Sequence, residues 1–416
     1  GTIPMRAIVA IAILLLILLL AGLILYLLAK RGWSMAWQRF EASRRAQLSV
    51  LADRWLASDP ERVPPELERL GRFPDRPLFV ELCLNRLPVA GTRERDRIVA
   101  WLKQHELTDA WIRQLRHRSS WKRGRAAETL GILRDPDSTP ALVEALADDE
   151  FDVRMRAAKA LGAVGGEPAR RALVRALTDE NRWSVIRIAD LLAELGPKVV
   201  GELIEAFPAM GRASRIATID LIAHIGDSGA TPFLVARLDD LDRDIRARAA
   251  AALGRIGDQR AVSGLLAALQ DAEWPVRSMA AKSLGDLNVV HAVPALAASL
   301  SDHEWWVRSN AADALRRLGP TGVDALISAL DGPDRFARDQ ALAMLESIGE
   351  IERRLAALAS TDEVALGEAE RILAILTNHQ PSARLQMICD HHPDPAARKA
   401  IVTQLARVAG SREVAK

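Results

Sequence analysis

Between residues 120 and 350 the apolar positions follow two helical patterns that alternate along the chain. TPALVEALAD (139–148) and DVRMRAAKALGAVG (152–165) typify them. Each places apolar residues at i, i+3, i+4 and i+7, which buries one helix face and leaves the other polar. The apolar residue of the AALG-like phrase falls at Leu130, Leu161, Leu192, Ile222, Leu253, Leu284, Leu315 and Leu345, in steps of 30 or 31. A second marker runs in parallel at Leu146, Leu177, Phe207, Leu238, Leu269, Leu300 and Leu330. Gly165–Gly166, Gly196–Pro197, Gly257 and Gly319–Pro320 end one helix pair and open the next. The spacing predicts a solenoid, in which each helix pair buries the apolar face of its neighbour.

The pattern loosens at both ends. RERDRIVAWLKQH and TDAWIRQLRH predict two further helices within 92–117. The proline-rich stretch 58–91 predicts a linker and an irregular cap. Residues 350–410 keep helical spacing but drift out of register, as a terminal cap does. The closing SREVAK is expected to fray.

The N-terminus carries a different signal. Ala7 to Ala29 is 23 residues without a charge. About 20 such residues span a bilayer. The run exceeds the core of a cleavable signal peptide, and Lys30–Arg31 follow it directly. A retained single-pass anchor is therefore expected. Arg6 alone precedes it, whereas Lys30, Arg31, Arg39, Arg44 and Arg45 follow, so the positive side and the solenoid are expected in the cytoplasm. Residues 1–59 hold seven Lys/Arg and three Asp/Glu, a net of +4, against +2 for the whole chain. The excess positive charge thus sits beside the apolar run. Trp33, Trp37 and Phe40 suit either headgroup contact or a helix that simply continues. Lone Cys83 and Cys389 agree with a reducing compartment.

An arginine recurs at Arg123, Arg154, Arg246, Arg277, Arg308 and Arg338, and an acid in the turn at Asp148, Asp179, Asp240, Asp271, Asp302 and Asp331. The acid is expected to cap the second helix of each pair. Stacked turns should bring each arginine to the acid of a neighbouring repeat, an internal ladder in which Arg308 pairs Asp302 or a neighbour. Charges two residues before the first marker are of mixed sign (Glu128, Lys159, Asp190, Asp220, Lys282, Asp313). A nucleic-acid reader needs an unpaired basic face, so nucleic acid is set aside.

Trp121, Phe151, Trp183, Trp274, Trp305, Trp306 and Phe336 all stand nine or ten residues before a marker, at the start of the second helix. Their rings either seal the Arg–Asp layer or form a partner-binding ridge, where Trp and Arg dominate. Trp305–Trp306 favours the ridge locally, because neighbouring helix-start residues cannot both face a core. Trp274, Trp305, Trp306, Arg335 and Phe336 are the candidate partner contacts.

The phrase D-x-x-W/F-x-V-R-x-x-A-A-x-A-L-G resembles the short bacterial HEAT repeat, the type also found in phycobilisome lyases. EWPVRSMAAKSLG, EWWVRSNAADALRRLG and DRFARDQALAMLESIG, behind a single leading span, resemble membrane-anchored bacterial HEAT proteins encoded beside family-2 glycosyltransferases. That resemblance implies a role in surface polysaccharide synthesis.

Catalytic chemistry finds little support. HEAT-type deoxyhypusine hydroxylases bind iron through repeated His–Glu pairs. Here only His105–Glu106 and His303–Glu304 occur, 25 and 12 residues before their markers and out of register. DHHPD (390–394) is a lone cluster, short of a defined ligand set. No G-x-S-x-G elbow and no G-x-x-x-x-G-K-[ST] loop is present. No catalytic, cofactor-binding or metal-binding residue is assigned.

The sequence therefore reads as all-α: a transmembrane anchor (1–31), a juxtamembrane helix and proline-rich cap (32–91), a HEAT-like solenoid (92–349) and a divergent helical cap (350–416). The expected function is a non-catalytic scaffold at the bacterial inner membrane, binding a protein such as a membrane glycosyltransferase. A lyase-like subunit acting on a tetrapyrrole, or an envelope signalling adaptor, are the alternatives.

Overall fold

The computed structural model describes the backbone of residues 5–58, 63–68, 70, 75–179, 183–379, 387 and 389–414, and the side chains of these except 5–18, 21, 379, 404, 405 and 407–414. Helices dominate, and no strand occurs among the described residues. The chain divides into two compact units, residues 1–172 and 173–416.

The first unit opens with α1 (Met5–Ala57), a single helix of 53 residues. At 1.5 Å per residue it is about 80 Å long. Side chains from 22 to 40 are all exposed. Among the described residues no helix is long and apolar enough to cross a membrane. Much of the expected span, the side chains of 7–18 and 21, lies outside them. The far end of α1 is packed: Leu48, Ala52, Trp55 and Leu56 are buried. They meet α3 (Asp75–Arg86), which follows the short α2 (Pro65–Glu68). Arg44 and Arg45 clamp the pair from outside, through Asp75 and Glu81. Beneath, Phe79 of α3 lies edge-on to Trp101 of α4 (Thr92–Gln104), ring centroids 4.9 Å apart, with Trp55 6.5 Å from Trp101. Residues 32–57 are thus one continuous helix whose end forms part of this unit's core. Helices α5 (Leu107–Gln114), α6 (Ser120–Leu133), α7 (Thr139–Ala145) and α8 (Phe151–Val164) complete the unit, with α6 packed on α8.

The division falls within α9 (Glu167–Thr178). The second unit continues through α10 (Val185–Ala193), α11 (Val200–Ala206), α12 (Arg212–Ile225), α13 (Thr231–Arg237), α14 (Arg243–Ile256), α15 (Val262–Ala268) and α16 (Trp274–Asp286). It then runs through α17 (Val293–Ala298), α18 (Trp305–Arg317), α19 (Pro320–Leu330), α20 (Arg335–Ser347), α21 (Glu350–Ala356), α22 (Glu363–His379) and α23 (Pro395–Val414). Helices α12, α14, α16, α18 and α20 stack in succession. All eight residues of the first marker series are completely buried, and the second series is buried throughout. Small residues let the stacked helices approach closely. Ala249 and Ala250 of α14, and Ala280 and Ala281 of α16, are wholly buried. Gly257 stops α14 at φ +80°, donating its N–H to Leu253 O, a conformation that costs a side-chain-bearing residue about 1–2 kcal/mol.

Candidate functional site

Four of the turns between paired helices are built the same way. The N–H groups of Asp148, Asp240, Asp271 and Asp302 each close a turn on the carbonyl three residues back, at 3.2 Å. Their side chains then accept the N–H two residues on: Glu150, Asp242, Glu273 and Glu304, at 2.8–3.0 Å. This corrects the expectation that these aspartates cap the second helix. Glu150, Glu273 and Glu304 hold the cap position, without a capping side chain, because the turn is two residues longer than a direct cap allows.

The arginines lock these turns together. One nitrogen of Arg277, Nη1, donates to the carbonyls of Asp271 and Ala272 in its own turn, at 2.8 and 3.0 Å. The opposite edge donates in two parallel bonds to Asp302 of the next repeat, Nε–Oδ2 2.7 Å and Nη2–Oδ1 2.9 Å. Arg246 grips Asp271 likewise, at 2.8 and 3.0 Å, and Arg123 grips Asp148 at 2.6 and 2.8 Å. Each fork thus reaches the acid 25 residues ahead. Arg154 keeps the two carbonyl bonds, to Asp148 and Asp149, and lies over Phe151.

Two expected rungs differ. Arg308 bonds the carbonyls of Asp302 and His303, at 2.8 and 2.9 Å, but no carboxylate among the described residues. The acid it was expected to pair, Asp302, belongs to Arg277. Arg338 has the same two carbonyl bonds, to Gly332 and Pro333, and no acid among the described residues. Asp331 is out of register. The turn bond made elsewhere by aspartate is made here by Gly332, whose N–H donates to Ala329 O at 3.2 Å. Asp331 instead lies 3.5 Å from Arg371. Leu330, Gly332 and Arg338 keep the spacing of Leu300, Asp302 and Arg308, so the acid stands one residue before the ladder position.

Burial pushes the Asp148, Asp271 and Asp302 carboxyls up, but the guanidinium bonds, the turn N–H and the arginine charge outweigh it, and all three lie below the usual carboxylate range. A folded value below the unfolded one makes stability that is fully present above about pH 4 and is lost as pH falls through the folded value. Stability is therefore expected to be flat from about pH 5 to 8 in this respect and to fall below about pH 4. Asp302→Asn should flatten that acid limb in urea melts taken across pH. An acid limb identical to wild type would contradict it.

The aromatic positions separate into two groups. Trp183 is buried. Trp121, Phe151, Trp274, Trp305, Trp306 and Phe336 are exposed. Trp305 and Trp306 expose 52% and 56% of their surface, so both rings, rather than one, face solvent. They meet edge-on, centroids 4.7 Å apart, while the next residue, Val307, takes the core position. Phe336 lies against the preceding repeat's Arg308, whose Cζ is 4.7 Å from the ring centre. Arg335, next to it, is largely exposed and lies 3.6 Å from Asp339. The starts of α16, α18 and α20 thus carry Trp274, Trp305, Trp306, Arg335 and Phe336, all exposed, at one end of successive stacked helices.

Elsewhere the chemistry is structural. His392 is buried, with Nδ1 accepting the Asp394 N–H at 3.1 Å and Nε2 2.8 Å from Glu352 O, so both ring nitrogens are spent on pinning α23. Among the described residues no three His, Cys, Asp or Glu groups are placed to hold a metal ion. Burial pushes the Cys83 thiol up to about 12, which leaves it protonated and unreactive at neutral pH.

A family model of HEAT repeats matches residues 108–193, 202–274 and 262–346. No curated protein matches the sequence. Similar solved structures include an engineered protein (19% identity, covering 73% of this chain and 98% of that one, TM-score 0.34). Human deoxyhypusine hydroxylase in complex with glycerol is similar at 21% identity, covering 73% and 96%, with a TM-score of 0.25. Kap121p bound to Nup53p is similar at 13% identity, covering 86% and 49%, with a TM-score of 0.45.

Proposed function

Because the chain belongs to the HEAT-repeat family, we propose that it is a non-catalytic scaffold, tethered to a membrane, that holds a protein partner along its exposed aromatic row. The observation that carries this reading is the pair Trp305 and Trp306, both more than half exposed beside the buried Val307 and Arg308. Large aromatics left in water at adjacent positions mark contact surfaces, and Trp and Arg supply most of the energy at such surfaces. Trp274, Arg335 and Phe336 extend the row across three neighbouring helices.

The tether is the 23-residue uncharged run, Ala7 to Ala29, with the cations after it on the cytoplasmic side. Anchoring confines the repeats to the membrane surface and raises the effective concentration of a partner in the same membrane. The resemblance of the last repeats to bacterial HEAT proteins encoded beside glycosyltransferases supports a membrane glycosyltransferase of exopolysaccharide assembly as that partner.

Crosslinking in native membranes, followed by pull-down and mass spectrometry, tests the reading. A glycosyltransferase should come down stoichiometrically with the wild-type chain. Trp306→Ala should leave melting nearly unchanged and cut that recovery about tenfold or more. Recovery of the chain alone would overturn the partner assignment. A large loss of stability in Trp306→Ala would return the ring to a structural role.

A further inference from the structure

We propose that the Arg308 and Arg338 forks are carboxylate receptors, and that the aromatic row recognises an acidic, extended segment of its protein partner. This rests on the partner-binding reading above and adds the chemistry of what is bound. In three repeats the same guanidinium edge holds an aspartate in two parallel bonds of 2.6–3.0 Å. In the fourth, Arg308 keeps its two carbonyl bonds, which fix the guanidinium in its turn, while Gly332 stands where the aspartate would be. Arg308 is only 9% exposed, yet its Nε and Nη2 donors meet no acceptor among the described residues. Phe336 attracts the charge through its ring face but offers no carboxylate to the paired N–H groups. Arg338, one repeat on, repeats the arrangement.

Three nearby acids are already engaged. Asp302 is gripped by Arg277, Asp334 accepts the N–H of Ala337 at its own helix start, and Asp331 faces Arg371. Glu304, exposed at the start of α18, is the acid nearest in sequence that carries no ion pair among the described residues. Adjacent packed helices lie about 8–10 Å apart. A chain extended as polyproline II has three residues per turn and rises about 3.1 Å per residue, so side chains at i and i+3 share one face about 9 Å apart. The pair of forks therefore fits two acidic side chains at i and i+3, with an apolar residue between them against Trp305, Trp306 or Phe336.

The probe is a fluorescein-labelled peptide, GALDLADLAG, titrated by anisotropy against the full chain in detergent micelles, beside its asparagine counterpart GALNLANLAG. The aspartate peptide should bind about tenfold or more tighter than the asparagine peptide. Gly332→Asp, which supplies an internal carboxylate to Arg308, should remove about tenfold of that affinity while melting is unchanged or higher. Arg338→Gln should weaken the aspartate peptide selectively. Equal binding of the two peptides, absence of aspartate-peptide binding, or indifference to Gly332→Asp would each overturn the carboxylate receptor. Discrimination that persists in Trp306→Ala, with no partner recovered from membranes, would retain the forks and remove the partner reading. Equal peptide binding that Trp306→Ala abolishes would do the reverse.

Discussion

Arg277→Ala is expected to destabilise the second unit by about 3 kcal/mol, because it strands a desolvated carboxylate. The Arg277 and Asp302 side chains are 16% and 12% exposed, and two parallel bonds join them. Removing one member of such a pair costs more than the pair contributed, since the survivor loses its partner without regaining water. Arg277 also holds the carbonyls of Asp271 and Ala272, so its own turn loosens with the joint to the next repeat. Hydrogen exchange of α16 and α18 should read the effect, with protection falling about 100-fold. Asp302→Ala should cost less, because the freed Arg277 keeps its two carbonyl bonds and only one edge of the guanidinium loses its partner. Equal, small effects below about 0.5 kcal/mol for both would place the ladder among surface ion pairs of little weight.

Gly285→Ala is the second large effect, and its sign is the test. In an exposed helix interior this substitution stabilises by about 0.5–1 kcal/mol. At Gly285 the added methyl carbon would lie 2.7 Å from Ala314 Cα and 2.8 Å from Ala314 Cβ, inside van der Waals contact with a neighbouring backbone. Helices α16 and α18 must then separate, and overpacking of this kind costs about 1–3 kcal/mol. Gly162, in the interior of α8, has nothing within 4 Å of the same position. Gly162→Ala should therefore follow helix propensity and stabilise, while Gly285→Ala lowers the melting temperature. If both variants stabilise, the close approach of α16 and α18 is not what holds these repeats together.

The ladder also explains why its far end differs from its middle. Arg123, Arg246 and Arg277 spend both edges of the guanidinium inside the protein. Among the described residues, Arg308 and Arg338 spend one. A repeat array can release donors for outside use simply by omitting an acid, with no change in its backbone turn. Gly332 does this while keeping the same turn bond as Asp271 and Asp302.

The sequence by itself determined the repeat. Each marker residue from Leu130 to Leu345 was legible as a core position from 3.6-residue periodicity alone, and each is completely buried. The helix pairs and their stops were equally local, as at Gly257, where the chain ends α14 in the left-handed conformation. The tertiary structure decided everything that joins one repeat to the next. Arg123, Arg246 and Arg277 each find an acid 25 residues away, whereas Asp331 stands one residue before the ladder position and leaves Gly332 in that place. Trp183 turns inward while Trp305 and Trp306 both turn out, because Val307 fills the core site beside them. Helix periodicity is a contact between near neighbours and is written in the chain. Pairing between stacked turns depends on where two distant segments come to rest, and only packing fixes that.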